Sequence, residues 1–331
     1  MKTLDKALKE RILLLDGAMG TMIQQRDLTA EDFGGEEFEG CNEYLVVTRP
    51  DVIQAIHEEY IIAGSDIIET NTFGATNIVL SDYNLQHLDI ELNERAARIA
   101  KQAVQSLGKE VYVAGAMGPT TKAISVTGGV TFEELITAYN RQATGLINGG
   151  VDVLLVETCQ DMRNVKAACI GISHAFKDLN TSLPVMISGT IEPMGTTLAG
   201  QTIDAFYLAI EHISPISIGL NCATGPEFMR DHVRSLSDLS ETYVSCYPNA
   251  GLPDEDGHYH ESPDSLAKKV RDFAEQGWVN IIGGCCGTTP DHIKAMKEAI
   301  SEIKPRQLKK RIDHAVSGLE SLRYDDSMRP L

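Results

Sequence analysis

One pattern limits what this 331-residue chain can become: a short apolar strand, a loop and an amphipathic helix, repeated eight times at a spacing of roughly 40 residues. The pattern predicts strands at Ile12–Leu15, Asp66–Glu69, Val111–Gly115, Val153–Glu157, Val185–Ser188, Ser217–Leu220, Tyr243–Cys246 and Asn280–Gly283. Between them apolar residues recur at helical intervals; Leu88, Leu92, Ala96, Ile99, Ala103 and Leu107 share one face. Helix starts are marked as well. Thr131 with Glu134 makes a capping-box pattern, and Ser262–Pro263 and Thr289–Pro290 each put a cap before a first-turn proline. Eight such units closing on themselves form an α/β TIM (β/α)8 barrel. A doubly wound open sheet uses the same alternation, but eight units with a single polar rim favour the barrel.

The barrel is expected as a single domain over residues 1–310. Two segments stand outside its repeat. Gln24 to Val46 is a long loop after the first strand, with acids at Glu31, Asp32, Glu36, Glu37 and Glu39. It reads as a solvated flap, with a partner-facing role as the other reading. Beyond about Pro305 the repeat stops, so residues 311–331 are expected to be a linker tail without a ninth strand.

Charge narrows the partners. With 47 acidic against 29 basic residues the net charge is −18, which argues against nucleic acid or an anionic membrane as the main partner. No stretch is long and apolar enough to span a membrane. The N-terminal MKTLDKALKERILLLDG is charged and lacks the apolar centre of a signal peptide. Seven cysteines, an odd number, point to a reducing compartment with free or metal-bound thiols, and a cytoplasmic location is expected.

In a barrel of this kind chemistry gathers where strands end. Those ends carry Asp16, Glu69–Thr70–Asn71, Glu157, Glu192, Asn221–Cys222, Cys246–Tyr247 and Cys285–Cys286. Cys222 follows the sixth strand and the Cys285–Cys286 pair the eighth, so strands of the same parity aim three thiols at one spot. Three thiolates with one open position are how zinc is arranged for catalysis. Adjacent cysteines bind one ion only if the backbone turns, which Gly283, Gly284 and Gly287 allow. Cys246, of opposite parity, is left out. The competing readings are three buried apolar thiols, a disulfide, and a closed structural site completed by His258 or His260. Asp16, before Gly17, reads either as an ammonium contact with the next backbone N–H groups left for a carboxylate, or as an Asx-turn. Glu157 ends an apolar strand and calls for a partner. Together these acids suggest an amino-acid ligand. Asn221 reads as a backbone brace or as a weak oxygen ligand to the metal. GxGxxG, Walker, HExxH and G-x-S-x-G patterns do not occur.

The runs DGAMGT, ETNTFGAT, GLNCATGP, PNAGLP and GGCCGTTPDHI resemble the homocysteine S-methyltransferase family, and most nearly the homocysteine module of its cobalamin-dependent branch, methionine synthase. The resemblance runs from about residue 10 to about residue 305. It implies a zinc ion held by Cys222, Cys285 and Cys286 that activates the homocysteine thiol. It implies that Asp16 and Glu157 contact the amino-acid end, with Gly17 and Asn221 beside them. In that branch the methyl group comes from methylcobalamin and the product is methionine. Cobalamin- and folate-binding modules, absent from this chain, would then be partners, and SGLESL in the tail resembles the linker to the folate module. Betaine-using relatives have a tyrosine where this chain has Gly74. Two alternatives stand: a free-standing methyltransferase using S-methylmethionine or S-adenosylmethionine, and a non-catalytic zinc-stabilised binding barrel.

Overall fold

The computed structural model describes residues 2–310 and 314–324. All eight expected strands form: β1 (Leu13–Leu14), β2 (Ile67–Glu69), β3 (Tyr112–Met117), β4 (Val153–Cys159), β5 (Val185–Gly189), β6 (Ser217–Asn221), β7 (Tyr243–Tyr247) and β8 (Ile281–Ile282). They pair in parallel in sequence order, and β1 also pairs with β8. The bridge Leu15–Ile67, with Asp66 N donating to Leu14 O, closes the ring between β1 and β2. The result is a TIM barrel, not an open sheet.

Alternation along each strand divides the core in two. Inward residues such as Leu13, Leu15, Ile67, Val153, Leu155 and Met186 fill the barrel. Their outward neighbours, among them Leu14, Ile68, Leu154 and Ile187, pack beneath the surrounding helices. The N-terminal helix Leu4–Glu10 plugs the bottom with Leu4, Ala7 and Leu8. There Tyr112 Oη donates to Lys2 O and Tyr243 Oη to Asp5. The capping box at Thr131–Glu134 is formed, and Pro263 and Pro290 open their helices.

Two segments differ from expectation. The loop after β1 is solvated only in part. Phe33 and Cys41 are buried, and short 3-10 turns at Glu36–Phe38 and Asn42–Tyr44 fold its second half down onto the barrel mouth. The tail, expected to hold no further strand, has an antiparallel hairpin, β9 (His314–Ser317) with β10 (Ser321–Tyr324). Thr202 N donates to Leu319 O, fixing the hairpin to the start of helix Ile203–Ile210. Residues 311–313 and 325–331 of that tail lie outside the described residues. Just before it, buried Arg306 donates to the carbonyls of Ser237, Ser240 and Thr242, satisfying acceptors at the end of helix Pro226–Leu239.

Candidate active site

The strand parity that fills the barrel with apolar residues brings polar ones inward at its C-terminal end. Glu69 lies two residues beyond Ile67, and Glu157 two beyond Leu155. Asn221 and Tyr247 are register partners at the ends of β6 and β7. Glu69, Glu157 and Tyr247 meet a cavity of about 960 Å³, lined also by Asp16, Gly17, Cys222, Cys285 and Cys286.

The thiol trio is assembled by three turns. Cys222 and Ala223 leave β6 with φ of +60° and +53°, backbone seldom adopted by residues with a Cβ. Beyond β8 the Cys285–Cys286 segment turns at Gly287, φ +78°, with Thr288 N donating to Cys285 O. The loop at Pro248 to Ala250 clamps that turn: Cys285 N donates to Pro248 O, Cys286 N to Asn249 Oδ1, and Ala250 N to Cys286 O. The three Sγ atoms lie within 4.8 Å of one another, with Cys222 and Cys286 3.8 Å apart. Sulfurs at about 2.3 Å from a tetrahedral zinc are separated by about 3.8 Å, so the trio fits such an ion. Hydrogen bonds from Cys222 and then Cys285 draw Cys286 down to about 3, the neighbouring Tyr259 adding to the effect. Cys285 is pushed well up by its bonds to Cys222 and Cys286. One thiolate shared by two thiols is a ready donor set for a cation. Cys246 is buried in the outer core, away from the trio. His258 and His260 sit on an exposed loop, where His260 pairs with Asp254.

Beneath the trio lie three acids, the buried Asp16 and Glu157 and the half-buried Glu69. Asp16 is 2% exposed and Glu157 4%. Asp16 Oδ2 accepts from Glu69 N at 3.0 Å, while its Oδ1 has no partner. Burial raises all three carboxyls. Charge from Glu157 raises Asp16 further, and Glu157 with Asp16 raises Glu69. Glu157 itself reaches about 8 through burial and the nearby Cys286 thiolate. Among the described residues, no lysine or arginine lines the cavity. A buried carboxyl cluster with an orphaned oxygen is a receptor for a cation such as an ammonium group.

Asn221 is hydrogen-bonded on both sides of its amide. Its Oδ1 accepts from Thr158 N and Ser188 Oγ, and its Nδ2 donates to Thr158 Oγ1. Nδ2 also faces Cys285 Sγ at 3.8 Å. The grip holds Thr158 at φ +53°, a rare conformation for a β-branched residue, where β4 shifts register between Val156 and Cys159. Thus one amide ties the residue after Glu157 to the residue before Cys222. Gly17 is required by packing, since a Cβ there would meet Thr288 Oγ1 at 2.7 Å and Tyr60 at 2.9 Å. Glu192 is not among the cavity residues. Glu69, noted at a strand end but not assigned a role from sequence, belongs with Asp16 and Glu157. Glu43, from the loop after β1, also lines the cavity; its acidic surroundings disguised it as part of a solvated flap.

Comparison with known proteins gives a family and a shared fold. The model of the homocysteine S-methyltransferase family matches residues 13–300. Crystal structures of the homocysteine methyltransferase MmuM from Escherichia coli share the fold. The metallated form has a TM-score of 0.70 at 21% identity, covering 88% of this chain and 96% of that one. The oxidised form gives 0.69 at 21% identity, over 87% and 95% of the two chains.

Proposed function

The chain belongs to the homocysteine S-methyltransferase family, and we propose that it methylates homocysteine sulfur at a zinc ion held by Cys222, Cys285 and Cys286. The observation that carries this reading is the convergence of three sulfurs directly beside a buried acid cluster. A free thiol titrates near 8.5, and zinc bound by the trio would keep the substrate sulfur ionised at neutral pH. Asp16, Glu69 and Glu157 hold the ammonium group, and Asn221 keeps that receptor in register with the cysteine turns. The substrate sulfur then attacks the donor methyl carbon, and the donor departs with the electrons of the broken bond. The product is methionine.

For the donor, the reading with the best support is a free-standing enzyme that uses a sulfonium compound, S-methylmethionine or S-adenosylmethionine. The E. coli homocysteine methyltransferase matches over nearly its whole length, and a cavity lined by acids and, among the described residues, by no lysine or arginine suits a cationic donor. The second reading is the homocysteine half of a cobalamin-dependent methionine synthase, with residues 311–331 leading to a folate module. It is favoured by PNAGLP, whose first residues clamp the cysteine turn.

The zinc-loaded protein should be incubated with homocysteine and each donor separately, and methionine assayed. Methionine from a sulfonium donor supports the first reading. Methionine from methylcobalamin alone moves the protein to the second. None from any donor contradicts homocysteine methyl transfer.

A further inference from the structure

The cavity holds a second anionic feature, apart from the acids at the strand ends. Glu43 comes from the 3-10 turn Asn42–Tyr44, in the loop that folds over the mouth. Its Oε1 accepts from Gly74 N at 2.7 Å. A Cβ at Gly74 would stand 2.8 Å from that same oxygen, so the glycine is what admits the carboxylate. Asn71 Nδ2 donates to Asn42 O at 2.7 Å, fastening the turn to the loop after β2. Among the described residues, no lysine, arginine or histidine forms an ion pair with Glu43. Burial holds its carboxyl above the ordinary range, and an arriving cation would reverse that effect. Phe73, 44% exposed, lines the same wall with its ring.

The position of this wall matters. In the closed ring of eight strands β2 stands four places from β6, directly across the barrel from the strand that delivers Cys222. Displacement at a methyl carbon requires the nucleophile and the leaving group on opposite sides of that carbon. A donor seated against the β2 wall therefore lies opposite Cys222, with Cys285 and Cys286, which follow β8, two places round the ring from it.

We propose that Glu43, with Phe73 beside it, reads the positive charge of a sulfonium methyl donor and so determines donor class. This rests on the methyltransferase reading above and goes beyond it by assigning a donor subsite. The balance is simple. Homocysteine thiolate forms a new S–CH3 bond, the donor S–CH3 bond breaks with its electron pair kept by the donor sulfur, and the sulfonium leaves as a neutral thioether. The charge that Glu43 and the aromatic ring attract is thus present in the bound donor and vanishes on transfer. Glu43 favours the ground state, and its work falls on binding rather than on the chemical step.

The test compares wild type with Glu43→Gln, whose amide oxygen retains the bond from Gly74 N while the charge is lost. With S-methylmethionine, the variant should raise KM by roughly 10- to 100-fold with kcat changed by less than about threefold. Calorimetric titration of the zinc-loaded chain with S-methylmethionine should show the same loss of affinity, and Glu43→Asp should recover part of it. An unchanged KM and affinity overturns the assignment. So does an equal loss of turnover with methylcobalamin, which would make Glu43 only a brace for Gly74. If wild type forms methionine from methylcobalamin and neither uses nor binds S-methylmethionine, the Glu43 assignment falls while homocysteine methyl transfer stands. If no donor yields methionine but the affinity difference persists, the charge-reading subsite stands and the methyltransferase reading fails.

Discussion

Along one strand, two residues separate a packing position from a reactive one. Ile67 and Leu155 point into the apolar interior of the barrel, and the next inward residues, Glu69 and Glu157, point into the cavity. The lower layer is dry and closely packed. The upper one holds raised carboxyls, the orphaned Asp16 Oδ1, and left-handed Thr158, Cys222 and Ala223. Such strain and unmet polarity are tolerated because the apolar layers below carry the fold. Stability and chemistry are thus divided by height within one barrel.

The sharpest way to break that division is at the thiols. Cys285→Ser should lose zinc and lower methionine formation by at least about 10³-fold, with circular dichroism unchanged. Normal zinc content with full activity would contradict the site. Loss of the fold would favour a purely structural metal. The converse experiment lies in the outer core, where Leu146 fills the space opposite Gly115; a Cβ there would meet Leu146 Cδ1 at 2.9 Å. Leu146→Ala should cost about 3 kcal/mol of stability by leaving a cavity. Its kcat, measured well below the melting temperature, should stay near that of wild type.

Glu157 sharpens the comparison, because there function opposes stability. Its carboxyl titrates near 4.5 in the unfolded chain and is pushed up to about 8 in the folded one, chiefly by burial. Between these values the folded protein binds the extra proton, so stability falls as pH rises through that window. Glu157→Gln should remove that slope and add up to about 3 kcal/mol at pH 7. The same variant should weaken homocysteine binding by roughly 30- to 100-fold. Denaturant melts from pH 5 to 8, with a binding titration, check both halves.

The smallest effect belongs to His57, buried in helix Pro50–Ala63 with both ring nitrogens unpartnered. Burial lowers its pKa from 6.5 to about 4. The unfolded chain therefore binds more protons between those values, and stability falls as pH drops from about 6.5 towards 4. His57→Leu should flatten that loss and raise stability by about 1 kcal/mol at pH 5, read as a shift in urea midpoint.

The eight strands were legible because period-two and helical patterns alternate cleanly, and strand parity brought three distant cysteines to one place on paper. What escaped was conformational. Nothing in VETC announces that Thr158 turns left-handed, so β4 was expected to stop at Glu157 when it continues to Cys159. Glu43 was hidden in a run of acids whose other members are mostly solvated, and its bond to Gly74 N and its place in the cavity wall separate it from them. The tail hairpin was missed because its strands are short and Val316 and Leu322 remain exposed, leaving little apolar alternation to read.

The central claim is that Cys222, Cys285 and Cys286 together present one zinc ion to the substrate sulfur. Zinc X-ray absorption on the full chain, before and after addition of homocysteine, tests it most directly. The account predicts three sulfur neighbours and one lighter ligand at about 2.0–2.3 Å, becoming four sulfurs with substrate. A coordination shell unchanged by homocysteine, or one with fewer than three sulfurs at the start, would contradict it.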